Sequence, residues 1–516
     1  MTDSADTHDY RQARIGELAV RARKALKLPI PILAVATITA SIVLFVNAES
    51  GGVALLLIGL SACFALMVWR GRGAGLPLMP MIILQHVLVY GLPLIASRDT
   101  LAVYSDALMT KAGVEVLFFL LALAAAWRAG MTLLTPGRPV CYALRDFNKG
   151  GTRKLGTIGF SLISGALLYQ IVERSGMVDT VLSVLPGEFW PVIWAVISAG
   201  GVCGYFIVSL LMGGGAFSVG QRLVFWLILI AFCYIASSSF LLSSAILMLI
   251  TVMVGFFWSS GRIPWIYLFV VFVIFSFLNV GKVVMRERYW GDRGADNIPE
   301  FPLTQIPEIY AEWAEASYDC ITGDNITKQP TFASSDAVPE QQTLLKRVNN
   351  MQNLLFVIDA VETNHVELLH GQTYSIIPML LIPRFIWPEK PRTHEGQVIL
   401  NVHFGRQDLM STETTYIAWG ILPEAYGNFG PFLGAVIVGC FLGFVFAWVE
   451  QHTVNKLVIS VEGFVAFVVF LSLADSFEFV ASVLVTSLEQ SIIPIVAATA
   501  FFARRTVLPP RTAPKA

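Results

Sequence analysis

Charge is scarce in this chain. Only 14% of its residues are Asp, Glu, Lys or Arg, where a soluble domain carries about a quarter. That shortage, set against 55% hydrophobic residues, excludes an ordinary soluble enzyme. The near-zero net charge of −1 leaves only the distribution of charge informative, and no nucleic-acid partner is expected. Several chemical signatures are also missing. No cysteine pair has CxxC spacing, and most of the six cysteines fall in apolar segments, where they read as small buried hydrophobes. Cys320 stands alone in the long polar insert, so a disulfide within that insert is excluded. His394 and His403 lack HExxH spacing, and Gly213-Gly214-Gly215 lacks the phosphate-loop pattern, so it reads as a tight turn. The first 29 residues are polar and basic, and the first apolar run reads as a retained span rather than part of a cleavable signal.

What is abundant is the long apolar run. Segments of about 18 or more apolar residues recur, each long enough to cross a bilayer. The expected fold class is an all-α polytopic membrane protein with about twelve transmembrane helices. The spans are expected over 30–48, 52–69, 78–97, 112–133, 156–173, 189–211, 222–238, 241–259, 263–281, 431–449, 458–475 and 480–503. Positive charge orients them. Arg11, Arg14, Arg21, Arg23, Lys24 and Lys27 precede the first span. Arg70, Arg72, the cluster from Arg128 to Lys154, Arg222, Arg262, Lys456, Arg504 and Arg505 fall on the same side. The opposite short loops hold only Arg98, Lys111 and Arg174. Both termini are therefore expected in the cytoplasm, as segments 1–29 and 504–516. The domain order is then helices one to nine over 30–281, an extracytoplasmic insert over 282–430, and helices ten to twelve over 431–503.

The insert is the only sizeable extramembrane region. Residues 291–343 carry scattered Pro, Gly and Asp and read as irregular structure. Leu344, Leu345, Val348, Met351, Leu355, Ile358 and Val361 recur at helical spacing, which predicts an amphipathic helix. It either packs on the helix bundle or lies in the membrane interface. Residues 373–387 are apolar and aromatic but too short to span, which suits a re-entrant or interfacial segment.

Three groups in and beside this insert carry candidate chemistry. Lys282, Arg286 and Arg288 lie where the ninth span leaves the membrane, on the side the positive-inside bias disfavours. They either snorkel to headgroups or bind an anion. Arg384, Lys390 and Arg392 alternate with Pro383, Pro388 and Pro391 and with Phe385 and Trp387. Arginine grips phosphate as a fork and lysine as a point charge, prolines stiffen the backbone that presents them, and the aromatics can stack on a sugar ring. The alternative is a proline-rich turn with solvated charges. The third group joins Glu413–Tyr416 to Glu424, Tyr426 and Asn428, just before the tenth span. A carboxylate beside aromatics there can have a raised pKa and act as a general base; alternatively the segment only shapes a helix start. Among the late spans, Glu489 is better placed than Glu462 to line a polar cavity.

The block Ile382–Pro391, then Thr412–Thr415, then Pro423-Glu-Ala-Tyr-Gly-Asn-Phe-Gly430 resembles the Wzy-type oligosaccharide repeat-unit polymerases. The matching motifs cover about fifty residues, and Pro423 stands where that family often has glycine. The resemblance implies a metal-independent glycosyltransferase of the bacterial inner membrane, without a cofactor. It would make O-antigen or exopolysaccharide by moving a glycan from polyprenyl diphosphate to an acceptor sugar at the outer leaflet. Its partners would be the lipid-linked donor and acceptor, membrane lipids and a chain-length regulator. Arg384, Lys390, Arg286 and Arg288 would stabilise the leaving diphosphate, with Lys282, Arg392, Trp387, Tyr426 and Asn428 binding substrate. Glu424 would serve as base and Glu413 as its substitute. Two other readings stay open: a ligase transferring a finished glycan, with His394 or His403 acting there, and a transporter or flippase. The spans are nearly free of charge, which argues against transport.

Overall fold

A computed structural model describes residues 14–144, 151–175, 190–290, 301–322, 349–382, 387, 389–414, 417–476, 479–500 and 503–508. It is mostly helical. Hydrocarbon offers the backbone no hydrogen-bond partner, so each long apolar run must close its own bonds as a helix. In chain order the main helices begin with α1 (Ile15–Ala25), α2 (Pro29–Val46), α3 (Gly52–Arg72), α4 (Leu78–His86) and α5 (Asp106–Leu133). After strand β1 (Val140–Leu144) come α6 (Gly151–Arg174), α7 (Trp190–Gly213), α8 (Val219–Ser237), α9 (Ser243–Ser260), α10 (Trp265–Trp290) and α11 (Ile306–Thr322). The remainder is α12 (Asn350–Glu362), α13 (Glu395–His403), α14 (Ile421–Phe429), α15 (Leu433–Thr453), α16 (Val461–Ser476), α17 (Ala481–Ala500) and strand β2 (Ala503–Val507).

Among the described residues, ten helices are long and apolar enough to cross a membrane. They correspond to the nine spans expected before the insert and the first one after it. The last two expected spans fall short of that standard. Helix α16 has 16 residues, about 24 Å of rise against a hydrocarbon core of about 30 Å. Helix α17 has Pro494 inside it, which removes one backbone donor. The third span is not a uniform helix either: beyond α4, Val87–Gly91 forms a π turn in which Leu92 N–H donates to Val87 O at 2.9 Å, directly before Pro93.

The chain divides into two compact units. The first contains α6 to α11. In it, α11 corrects the expectation of irregular structure over 291–343. Ile306, Ile309, Trp313 and Ala316 fall on one buried helical face. Trp313 is fully enclosed, and its indole N–H donates to Leu278 O of α10 at 2.8 Å. The scattered polar residues hid this stripe. The flanking stretches 291–300 and 323–348 lie outside the described residues.

The second unit holds α1 to α5, α12 to α16 and the first part of α17. Its centre is the pair α5 and α15. A Cβ on Gly443 would sit 2.3 Å from Leu123 O, and one on Gly439 2.7 Å from Phe119 O. The GxxxG spacing of these two lets the backbones approach as small residues do between membrane helices. Segments that charge alone assigned to one side do share one end of this unit. Ile15 N–H donates to Lys456 O at 2.9 Å, β1 pairs antiparallel with β2, and Ala143 bridges to Ser460. The small sheet is an addition to the expected all-α fold. Glu450 closes this end: its carboxylate accepts from the Trp69 and Trp127 indoles at 3.2 and 2.8 Å and from Ala74 N–H at 2.7 Å. At the other end Gly51 N–H donates to Asp106 at 2.7 Å, and the insert packs there through α12 and α14. Helix α12 buries Met351, Leu354, Leu355, Val357 and Ile358 completely. Of the two expected positions for the helix, it therefore takes the one packed on the bundle.

Candidate functional site

Helix α14 is buried along nearly its whole length, from Ile421 to Asn428. Glu424, at 0% exposure, uses both carboxylate oxygens. One accepts from Thr373 Oγ1 at 2.7 Å and the other from Ala481 N–H at 2.7 Å. Asn428, four residues on, donates to Thr373 Oγ1 at 2.9 Å and to Glu424 O at 2.8 Å, while its Oδ1 accepts from Gly371 N–H at 3.1 Å. Burial pushes the Glu424 carboxyl up to about 7, against the lowering effect of its two donors. The raised pKa matches the expectation for this carboxylate. Its position does not leave an oxygen open to an incoming hydroxyl. Glu424 and Asn428 instead knot the segment around Thr373 to the start of α17.

The proline-flanked cations reach the same place. Lys390 Nζ donates to Leu380 O at 2.6 Å, and Arg392 Nε lies 3.4 Å from Glu395 at the start of α13. Thr393, next in the chain, accepts at its carbonyl from Ser482 Oγ at 3.2 Å. Ser482 and Ala481 are neighbours at the N-terminus of α17, so Glu424 of the last resemblance block and Thr393, two residues past the first, are fastened to one helix start. Trp387 stands outward at 37% exposure. Arg384 lies outside the described residues. Glu413 is on the single helical turn Ser411–Thr414, with its side chain outside what the structure describes. His394 Nδ1 is 2.9 Å from Gln397 Oε1 and His403 Nε2 is 2.7 Å from Glu367 O. No group of three metal-ligating side chains occurs among the described residues.

Tyr426 belongs to a second cluster that sequence reasoning missed. Its hydroxyl donates to Glu362 Oε1 at 3.2 Å, and Lys111 of α5 pairs with Glu362 Oε2. Glu115, one turn along α5 from Lys111, is an electrostatic neighbour of both Glu362 and Tyr426. It is 3% exposed; Oε1 accepts from Phe432 N–H at 2.9 Å, and Oε2 is enclosed without a partner. Burial and the neighbouring Glu362 carboxylate push the Tyr426 phenol up, so it remains a donor. Glu362 is the last residue of α12, at the end where the helix dipole disfavours an anion. Lys111 and Tyr426 offset that cost.

Arg406 is the other residue missed. Its Nη1 donates to Asn353 Oδ1 at 2.6 Å, and its guanidinium sits 5.3 Å from the Phe356 ring centroid and 5.7 Å from that of Trp419. No carboxylate pairs with it among the described residues, and desolvation lowers its pKa. Trp419 is itself anchored by its indole N–H to Asn401 Oδ1 at 2.7 Å. Only a position in the loop after α13 marks Arg406 in the sequence; nothing there announces its aromatic seat.

The remaining predicted cations belong to the first unit. Arg286 donates to Phe240 O at 3.0 Å and lies 4.3 Å over the Trp290 ring. Arg288 pairs with Glu312 of α11 at 3.0 Å, and Tyr289 donates to the same carboxylate at 2.8 Å. Lys282 is buried on α10. Arg286 and Arg288 thus fasten α10 to its neighbours. No protein-family model matches the chain, and no curated protein or solved structure matches it.

Proposed function

We propose that this multi-pass membrane protein is a polymerase of lipid-linked oligosaccharide repeat units. One observation carries the reading: Thr393, the residue after Arg392, and Glu424 of α14 are tied to adjacent residues, Ser482 and Ala481, at the start of α17. Cations, an outward Trp387 and buried hydrogen-bonding groups thereby share one extramembrane layer. Such a layer suits an anionic lipid head with sugars attached, because fixed cations stabilise a leaving diphosphate without reorganising. Arg406, seated on aromatic faces without a carboxylate partner among the described residues, adds to it.

In this reading the layer faces outward and both termini lie in the cytoplasm of a bacterial inner-membrane protein. An acceptor hydroxyl attacks the anomeric carbon of the donor glycan; the bond from that carbon to the diphosphate breaks, and its electron pair leaves with the polyprenyl diphosphate. Arg384, Lys390 and Arg392 bind the diphosphate, and Trp387 stacks on a sugar. Glu424 and Asn428 hold the layer's shape. The test is Arg384→Ala, and separately Lys390→Ala, in the native strain. Loss of long-chain surface polysaccharide on gels is expected, with single repeat units retained. A normal ladder in both variants would sink the reading.

A further inference from the structure

The polymerase reading needs a group to take the acceptor's proton, and Glu424 is fully buried, out of an acceptor's reach. Glu362 is differently placed. It is carried on α12, braced by Lys111 from α5 and Tyr426 from α14, and its side chain is 27% exposed. Three elements that are remote in sequence converge on this one carboxylate. Its place at the unfavourable end of a helix dipole is a cost that the fold retains. Beside it is the enclosed, unpartnered Glu115 Oε2.

We propose that Glu362 is the general base of the glycosyl transfer. The inference rests on the polymerase reading. In the step, the acceptor O–H bond breaks and its proton passes to the Glu362 carboxylate. The freed oxygen pair forms the bond to the anomeric carbon, and the carbon–oxygen bond to the diphosphate breaks, its electrons leaving with that group. Tyr426 holds the carboxylate's orientation through its hydroxyl and acts as a positioning residue. Among the described residues, the charged and titratable groups facing Glu362 are Lys111 and Glu115 on α5 and Tyr426 on α14.

The experiment uses the full chain in nanodiscs, with lipid-diphosphate-linked repeat units extracted from a strain lacking this gene as the probe. Wild-type protein must first lengthen the glycan; if it does not, the polymerase reading fails, and this inference with it. Given activity, Glu362→Gln is expected to lower kcat at least ~100-fold, the lower range for a lost general base, with KM within ~3-fold. Glu362→Asp should recover part of the rate. Lys111→Met should cost less than ~10-fold. Retention of a third or more of kcat in Glu362→Gln overturns the base assignment and leaves the polymerase reading standing. So does a Lys111→Met loss equal to that of Glu362→Gln, since a mere ion pair predicts that equality.

Discussion

Two glutamates 62 positions apart in the chain show how environment rather than residue type decides a role. Both carboxylates have partners at both oxygens, but Glu424 is fully enclosed while Glu362 keeps an open side. Burial lifts the Glu424 pKa to about 7 from an ordinary 4.5. The folded state therefore holds its proton more tightly than the unfolded chain does. Stability from this group is complete below about pH 4.5 and is lost as pH rises through about 7. Between pH 5 and pH 8 the wild-type protein should lose of order 1–3 kcal/mol relative to Glu424→Gln, which does not titrate. Thermal unfolding of both proteins in detergent at the two pH values measures this. Parallel pH dependence would show that Glu424 is not titrating in the window.

At the level of elements, the α5–α15 pair rests on backbone contact that only glycine permits. Gly443→Leu would drive a side chain against Leu123 O, where even a Cβ falls at 2.3 Å. A destabilisation of about 1–3 kcal/mol or more is expected from overpacking, seen as a lowered unfolding midpoint, while the exposed Gly71→Ala, whose Cβ meets nothing within 4 Å, should leave it unchanged. These elements also show what the sequence made legible. The membrane helices were readable because apolar runs and the loop charges flanking them are local signals. So was the helix around Met351, Leu355 and Ile358, whose stripe is clean. Helix α11 was not, because Pro, Gly and Asp on either side masked Ile306, Ile309 and Trp313. The site was half legible. Cations and carboxylates near Pro391 and Glu424 stood out by composition, whereas Glu362 acquires partners 251 and 64 residues away. Arg406 likewise gains its aromatic seat from Phe356 and Trp419. Burial, too, was invisible: nothing in Pro423–Gly430 announced that Glu424 would be sealed.

For the molecule as a whole, the second unit has two chemically different ends. One gathers α1, the β1–β2 pair, Lys456 and the sealed Glu450; the other carries α12, α13 and α14. The first end collects cations from four separate segments, including Arg21, Arg23, Lys24, Arg70, Arg72, Arg504 and Arg505. Positive charge near the ends of membrane spans is retained on the cytoplasmic side. The enzyme reading requires the opposite end to face the carrier lipid's glycan, outside. Single cysteines at the exposed Ser411 and at the exposed strand residue Arg505, introduced after replacing the six native cysteines with alanine or serine, distinguish the two sides. In intact spheroplasts a membrane-impermeant maleimide should label Ser411→Cys strongly. It should label Arg505→Cys only after the membrane is opened. The reverse pattern would put Lys390 and Arg392 in the cytoplasm, where a glycan already carried across the membrane cannot meet them, and the proposed reaction would have no place in which to occur.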